Sequence, residues 1–202
     1  MKTEFILPNE IHRAVELLKI GGLVAFPTDT VYGLGALAFD GRAIEWIFKA
    51  KDRPIEKAIP ILFADEADLE KVAVEIPEMA RLFASRFWPG PLTCVVPKKA
   101  TLPVVVSATT TVAVRIPDHP VARALLRAAG PMAVTSANLS GHPSSTTAGG
   151  VMEQLKGRVP LILDGGTTPG GIPSTLVDCT GDEPVILREG PISLEELLSA
   201  LG

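Results

Sequence analysis

The chain alternates between segments with a helical period of apolar residues and short segments that are apolar throughout. Apolar side chains between Ile11 and Leu18 fall on one helical face, with Asn9 as the predicted N-cap and Gly21-Gly22 as the end. The run LVAFP that follows predicts a buried strand, and Gly33 and Gly35 predict a turn soon after it. This order of helix and strand recurs along the chain.

The other elements are predicted by the same two patterns. Helices are expected in GRAIEWIFKAK (after an Asp40 cap), DEADLEKVA, PEMARLFASRF, HPVARALLRAAG (closed by Gly130), AGGVMEQLKG and SLEELLSAL (where Ser193 and Glu196 have capping-box spacing). Strands are expected in AIPILF, PLTCVVP, TVAVRIP, MAVTS, LILDGG, STLVD and VILREG. Helices and strands alternate early, whereas strands cluster later. The pattern predicts an α/β fold with a mixed sheet, and we expect one domain over residues 1–202.

Composition narrows the class of protein. The 202 residues are 47% hydrophobic and 21% charged, which is typical of a globular domain, and the formal net charge of −4 disfavours a general nucleic-acid binder. Cys94 and Cys179 have no CxxC spacing, so we expect two buried thiols and no metal site. With no signal-peptide pattern and no apolar run near the ~20 residues of a membrane span, a cytoplasmic protein is expected.

Three stretches carry candidate chemistry. In AFPTDTVYGLG, the side chains of Thr28 and Thr30 would point the same way at a strand end, either to hold a ligand or to form the turn. In KAKDRP, Lys51 and Arg53 either complement a helix C-terminus or clamp an anion. The polar stretch at 134–149 could cradle phosphate or be a solvent loop.

Isolated polar residues at other strand ends extend this picture. Arg115, Arg188 and Ser174 are each weak signals alone, but together they suggest one concave site for a polyanion. The chain contains no GxxxxGK[ST] loop, no GxGxxG fingerprint and no GxSxG elbow. Any nucleotide site is therefore expected to be of an unusual kind.

Eight motifs then identify a resemblance. AFPTDTVYGLG, IFKAKDRP, FWPGPLT, TVAVRIPDHPVA, TSANLSGHPS, ILDGG, PSTLVD and ILREGPIS occur in the order and near the spacing seen in the YrdC-like family of threonylcarbamoyl-AMP synthases. The chain resembles the short form of this family, without the extra C-terminal domain of one branch. The resemblance implies a twisted mixed sheet with outer helices around a large concave cavity.

The resemblance also implies an activity. Such an enzyme is a nucleotidyltransferase that joins L-threonine, bicarbonate (or carbon dioxide) and ATP into threonylcarbamoyl-AMP and pyrophosphate. Partner proteins then transfer the threonylcarbamoyl group to tRNA, next to the anticodon, and tRNA is itself a candidate partner. Mg²⁺ is expected to arrive with ATP, with no organic cofactor and no membrane contact.

Site residues carry over from the matching motifs. The resemblance implies that Lys51 and Arg53 are catalytic and also bind ATP. It further implies a substrate site formed by Thr28, Thr30, Tyr32, Thr111, Ala113, Ser136 and Ser174, and an ATP site that adds Arg115, Ser136, Asn138, Ser144 and Arg188.

The sequence departs from the family in two places. Leu62 stands where many members have a histidine, and Thr135 stands where a proline usually precedes the SxN serine. The alternatives are a YrdC-like paralogue that binds RNA or nucleotide without synthase activity, a non-catalytic RNA-binding module, or the carbamoyl-transfer domain of hydrogenase-maturation proteins. The last would require zinc-finger and acylphosphatase segments that this chain lacks.

Overall fold

Ten strands form one mixed sheet in the computed structural model, which describes all residues 1–202. The strands are β1 (Glu4–Ile6), β2 (Val24–Pro27), β3 (Tyr32–Leu37), β4 (Ile61–Leu62), β5 (Leu92–Pro97), β6 (Thr111–Arg115), β7 (Met132–Ser136), β8 (Leu161–Leu163), β9 (Thr175–Asp178) and β10 (Val185–Arg188). The helices are α1 (Ile11–Lys19), α2 (Gly41–Lys51), α3 (Leu69–Val72), α4 (Glu78–Phe87), α5 (Pro120–Ala129), α6 (Ala148–Leu155) and α7 (Leu194–Ser199).

The strand order is β1-β8-β2-β3-β7-β4-β6-β5-β9-β10. Four neighbouring pairs are parallel (β1 with β8, β2 with β8, β4 with β6, β5 with β9) and five are antiparallel (β2 with β3, β3 with β7, β4 with β7, β5 with β6, β9 with β10). The predicted mixed sheet is therefore confirmed. Strands that are far apart in the sequence become neighbours, which brings their ends together at one site.

Side chains of successive strand residues point to opposite faces, and each face has its own core. On one face, Leu34, Ala133 and Val114 pack with residues of α2, α4 and α6 in the larger core. On the other face, Phe26 and Met132 pack with residues of α1 and α5. Because α1 and α5 cover only part of this second face, the stretch from β3 across to β10 is left concave and accessible.

The glycine pair was predicted as a turn, and that prediction is wrong. Gly33 and Gly35 lie inside β3. A Cβ atom on Gly33 would come within 2.6 Å of Val134 Cγ1, and one on Gly35 within 2.8 Å of Met132 Cε. The glycines thus let β7 side chains lie across β3, and the turn itself is made upstream, at residues 28–31.

Some element ends also differ from the prediction. Asn9 lies in a 3-10 turn, and α1 begins one residue later than a cap at Asn9 requires, with Glu10 at the N-cap. The segment DEADLEKVA divides into a 3-10 turn at Glu66–Asp68 and the short α3. β1 was not predicted, because three residues are too few to show a period.

Several predicted caps are confirmed. Asp40 caps α2, and Ser193 and Glu196 form the predicted capping box of α7. Gly130 ends α5 at a φ of 95°, a backbone conformation that favours glycine. None of the helices combines the length and the apolar composition needed to cross a lipid bilayer.

Replacing the α2 cap tests how far local hydrogen bonding stabilises this helix, which carries Lys51. Asp40 Oδ1 accepts a hydrogen bond of 3.0 Å from the Ala43 N–H. We expect Asp40→Ala to lower the free energy of unfolding by about 1 kcal/mol in urea denaturation, because the N–H loses its partner. Asp40→Asn keeps an acceptor, so its free energy of unfolding should stay within roughly a few tenths of a kcal/mol of the parent's. Equal losses in both variants would contradict the capping role.

Candidate functional site

A cavity of about 570 Å³ occupies the uncovered part of the second face. Residues of β3 to β7, β9 and β10 line it, together with residues from the loops at 53–60, 107–109 and 173–174. Most of the residues predicted from the sequence border it: Thr28, Thr30, Tyr32, Arg53, Thr111, Ala113, Arg115, Ser136, Ser174 and Arg188. The fold thus gathers side chains that lie up to 160 positions apart, the difference between 188 and 28.

A second hollow lies elsewhere on the surface. This outer groove, of about 630 Å³, is bordered by Leu37, Phe39, Arg42, Glu45 and Pro131 and by neighbours of these residues. It contains none of the residues predicted from the sequence to form a site, and its one cation, Arg42, stands against two carboxylates, Asp40 and Glu45. The chemistry of this chain is therefore concentrated in the 570 Å³ cavity.

Arg115 lies buried in the cavity wall, with 5% of its surface exposed. Its Nη2 donates to Asp29 Oδ1 at 2.5 Å, its Nη1 to Thr30 Oγ1 at 3.2 Å and its Nε to the Gly90 carbonyl at 2.9 Å. Burial lowers the pKa of Arg115, and the Asp29 carboxylate opposes this shift. Since an arginine titrates far above neutral pH, the guanidinium remains charged and is held in one orientation.

Thr28 makes the turn that brings Asp29 and Thr30 to this guanidinium. Its Oγ1 accepts from the N–H groups of Thr30 (3.2 Å) and Val31 (3.3 Å) and donates to the Val31 carbonyl at 2.7 Å. Of the two roles predicted for Thr28, the structure shows the turn-forming one. Thr28 also borders the cavity. Asp29, which lies between the two threonines, is the counter-ion of Arg115.

Arg188 and Ser174 are bound to each other at the rim. Arg188 donates twice to the Ser174 carbonyl, at 2.8 and 3.1 Å, and once to Ser174 Oγ at 3.2 Å. Ser174 Oγ also lies 2.7 Å from Thr93 Oγ1. Sequence reasoning missed Thr93, although a single threonine between Leu92 and Cys94 in an apolar strand was a usable signal.

Arg53 completes a group of three guanidinium groups in one cavity. It donates to the carbonyls of Ala58 (2.9 Å) and Lys57 (3.3 Å) and forms no ion pair with a carboxylate. Burial and then the Arg188 charge lower the pKa of Arg53, and burial and then the Arg115 charge lower the pKa of Arg188. Like charges therefore lie close together, and only Arg115 has a carboxylate partner.

Lys51 is buried behind the cavity wall, where it contacts Ser136 and Asn138. It is 1% exposed, and its Nζ donates to the Ser136 carbonyl, to the Asn138 carbonyl at 2.5 Å and to Asn138 Oδ1 at 3.2 Å. Burial, with a smaller contribution from Arg53, lowers the pKa of Lys51 to about 7. Lys51 therefore ties the end of α2 to the end of β7, and of these three residues only Ser136 borders the cavity.

Three predicted site residues, Tyr32, Asn138 and Ser144, have side chains directed away from the cavity or lie outside its lining. The Tyr32 ring belongs to the larger core, and its hydroxyl donates to the Gly166 carbonyl at 2.6 Å. Burial, with the nearby Asp164 charge, raises the pKa of Tyr32 to about 12. Asn138 donates to the carbonyls of Leu139 and His142 within its own loop. Asn138 and the half-buried Ser144 lie outside the cavity lining.

The two cysteines are free, buried thiols, as predicted. No three histidine, cysteine, aspartate or glutamate side chains come together in a group that could hold a metal ion.

Comparison with known proteins identifies the family to which the chain belongs. The family whose model matches is described as Sua5_yciO_yrdC, telomere recombination, and the match covers residues 16–190. A threonylcarbamoyl-AMP synthase of Pyrococcus abyssi is 47% identical over 195 residues, which are 96% of this chain and 57% of that protein. One of Bacillus subtilis is 45% identical over 196 residues, with the same two shares. The chain therefore spans little more than half the length of these curated relatives.

A solved structure supports the same relationship. P. abyssi Sua5 complexed with L-threonine matches with a TM-score of 0.95 at 44% identity, over 100% of this chain and 61% of that one.

The ion pair between Asp29 and Arg115 should be a large contributor to stability. Both side chains are largely buried (12% and 6% exposed), so Asp29→Ala leaves an uncompensated guanidinium and should cost about 3–5 kcal/mol of unfolding free energy in urea. The matched control is Asp65→Ala, which removes two more exposed pairs, with Arg127 and Arg123, and should cost about 1 kcal/mol or less for each pair. Similar losses for the two variants would contradict the role given to burial.

Proposed function

The chain belongs to the Sua5–YciO–YrdC family, and from this premise we propose that it is a threonylcarbamoyl-AMP synthase. It would join L-threonine, bicarbonate (or carbon dioxide) and ATP into threonylcarbamoyl-AMP and pyrophosphate. The single observation that carries the proposal is the convergence of Arg53, Arg115 and Arg188 on one cavity with one paired carboxylate. The whole lining carries four cationic side chains (these three and Lys57) against two carboxylates (Glu56 and Asp178), and a cavity with this excess of positive charge suits a polyanion.

The geometry supports a division of the cavity between the substrates. Arg53 and Arg188 are bonded only to carbonyl and hydroxyl oxygens, so a phosphate can take up their charge without displacing a carboxylate. We assign the ATP phosphates to these two residues. The hydroxyl groups of Thr30, Thr111 and Ser174 line the same cavity and can bind the polar groups of threonine.

The chemical step then needs positioning and charge compensation. A carbamate oxygen of threonine attacks the α-phosphorus, a new P–O bond forms, the bond to the β-phosphate oxygen breaks, and pyrophosphate leaves. Both reacting groups are anionic, so fixed cations lower the barrier by offsetting their repulsion. Arg53 is our candidate for this role. Lys51 donates to the Ser136 carbonyl and so holds Ser136 in place at the cavity wall.

Exclusion of water would protect the labile carbamate. The stretch at 134–149 is our candidate for part of the closure. It is anchored by Gln154, which accepts from the Leu139 N–H at 3.0 Å and donates to the Pro143 carbonyl at 3.1 Å. Thr147 Oγ1 caps α6 at the other end of the stretch. These contacts give the segment a defined shape beside the cavity.

Further expectations go with this proposal. We propose that Mg²⁺ arrives bound to the ATP phosphates, whose oxygens are ligands that it prefers. We propose that partner proteins transfer the product to tRNA in the cytoplasm. Leu62 lines the cavity where many family members have a histidine. This difference favours a second candidate function, that of a paralogue which binds nucleotide without synthase activity.

A pyrophosphate-release assay tests the synthase directly. With ATP, bicarbonate and L-threonine we expect release that depends on threonine, with L-serine as the amino-acid control. Arg53→Gln should lower the rate roughly 100-fold or more, because a charge contact at the reacting phosphate is lost. Arg127→Gln, which removes an exposed arginine of an ion pair outside the cavity, should leave the rate unchanged.

Two outcomes would contradict the proposal. Threonine-independent release, or none despite ATP binding, would leave the nucleotide-binding paralogue as the better account. A near-normal rate in a folded Arg53→Gln variant would remove Arg53 from the mechanism. Thermal unfolding of each variant, compared with the parent, shows whether a lost rate reflects a lost fold.

A further inference from the structure

Asp178 is a carboxylate of the cavity that the proposed reaction does not use. It ends β9, half-buried, and borders the cavity. In the sheet it lies opposite Val95 of β5 on one side and Val185 of β10 on the other. Its neighbours in the strand pairing are therefore apolar.

One oxygen of Asp178 is fixed and the other is free. Oδ1 accepts from the Thr180 N–H at 2.9 Å and from Thr180 Oγ1 at 2.7 Å. Oδ2 accepts no hydrogen bond, and the side chain forms no ion pair, in contrast to Asp29. The turn thus holds the carboxylate in place with one acceptor oxygen available to a ligand.

The register of β9 with β10 relates the position of Asp178 to that of Arg188. Arg188 is paired in the sheet with Leu176, two residues before Asp178, a spacing of about 7 Å along a strand. On this side of the cavity a guanidinium and a free acceptor oxygen therefore lie about two strand residues apart, with the apolar side chains of Leu176 and Val95 beside them. A ligand that contacts both needs an anion at one end and an N–H or O–H donor at the other.

We propose that Asp178 accepts a hydrogen bond from a ribose hydroxyl of the nucleotide and so selects a ribonucleotide. This inference rests on the proposed function in that the ligand is ATP. A nucleotide carries anionic phosphates and hydroxyl donors on one molecule, and acidic side chains bind ribose hydroxyls in other nucleotide sites. The threonine ammonium is another donor of this kind. Ribose is favoured because it is joined to the phosphates assigned to Arg188.

The test compares ATP, 2′-deoxyATP and 3′-deoxyATP by isothermal titration calorimetry, without threonine or bicarbonate. Asp178→Asn keeps the Oδ1 acceptor for Thr180 and turns the free oxygen into an N–H donor. We expect the parent protein to bind at least one deoxy analogue about 10-fold more weakly than ATP, and Asp178→Asn to bring the two within about twofold. Asp182→Asn, an exposed change in the following turn, should keep the parent's discrimination.

Three results would overturn the proposal. It fails if the parent does not discriminate, or if Asp178→Asn discriminates as the parent does. It also fails if Asp178→Asn raises the threonine KM in the pyrophosphate assay while nucleotide discrimination stays unchanged, since Asp178 then binds the ammonium. Selective ATP binding without threonine-dependent pyrophosphate release would instead sink the proposed synthase and leave the assignment of Asp178 standing.

Discussion

Three guanidinium groups share one cavity with a single paired carboxylate, and the arrangement of the chain around them follows from that constraint. Burial, and after it the charge of a neighbouring guanidinium, lowers the pKa values of Arg53 and Arg188, because both disfavour the charged form. In the ligand-free protein, backbone carbonyl oxygens offset these two effects. They come from Gly90, Ala58 and Ser174, each in a different part of the chain.

The sheet topology is what assembles these carbonyls and cations. β6 carries Arg115 and pairs with both β4 and β5, while β9 brings Ser174 next to β5. Because the second face is covered by helices only over part of its width, the same strands that build the larger core on one side expose polar side chains on the other. A site of this kind is preorganised, since its donors are oriented before a ligand binds.

Much of the fold could be predicted from the sequence, because helices and strands of ordinary length show their periods. The caps at Asp40 and Ser193 could be predicted because each is a capping residue type directly before a helical pattern. What the sequence could not show is which strands become neighbours. Asp29 and Arg115 pair across 86 positions, and no local pattern in either segment indicates the other. Motif order located the cavity residues, but only the register shows that the Tyr32 ring faces the core.

The central claim is that one cavity holds both the nucleotide and threonine. A crystal structure with L-threonine and a non-hydrolysable ATP analogue tests it most directly. We expect the phosphates between Arg53 and Arg188, with threonine in the same 570 Å³ cavity. An analogue bound in the outer groove beside Phe39 and Arg42, or a cavity without nucleotide at saturating concentration, would contradict the account.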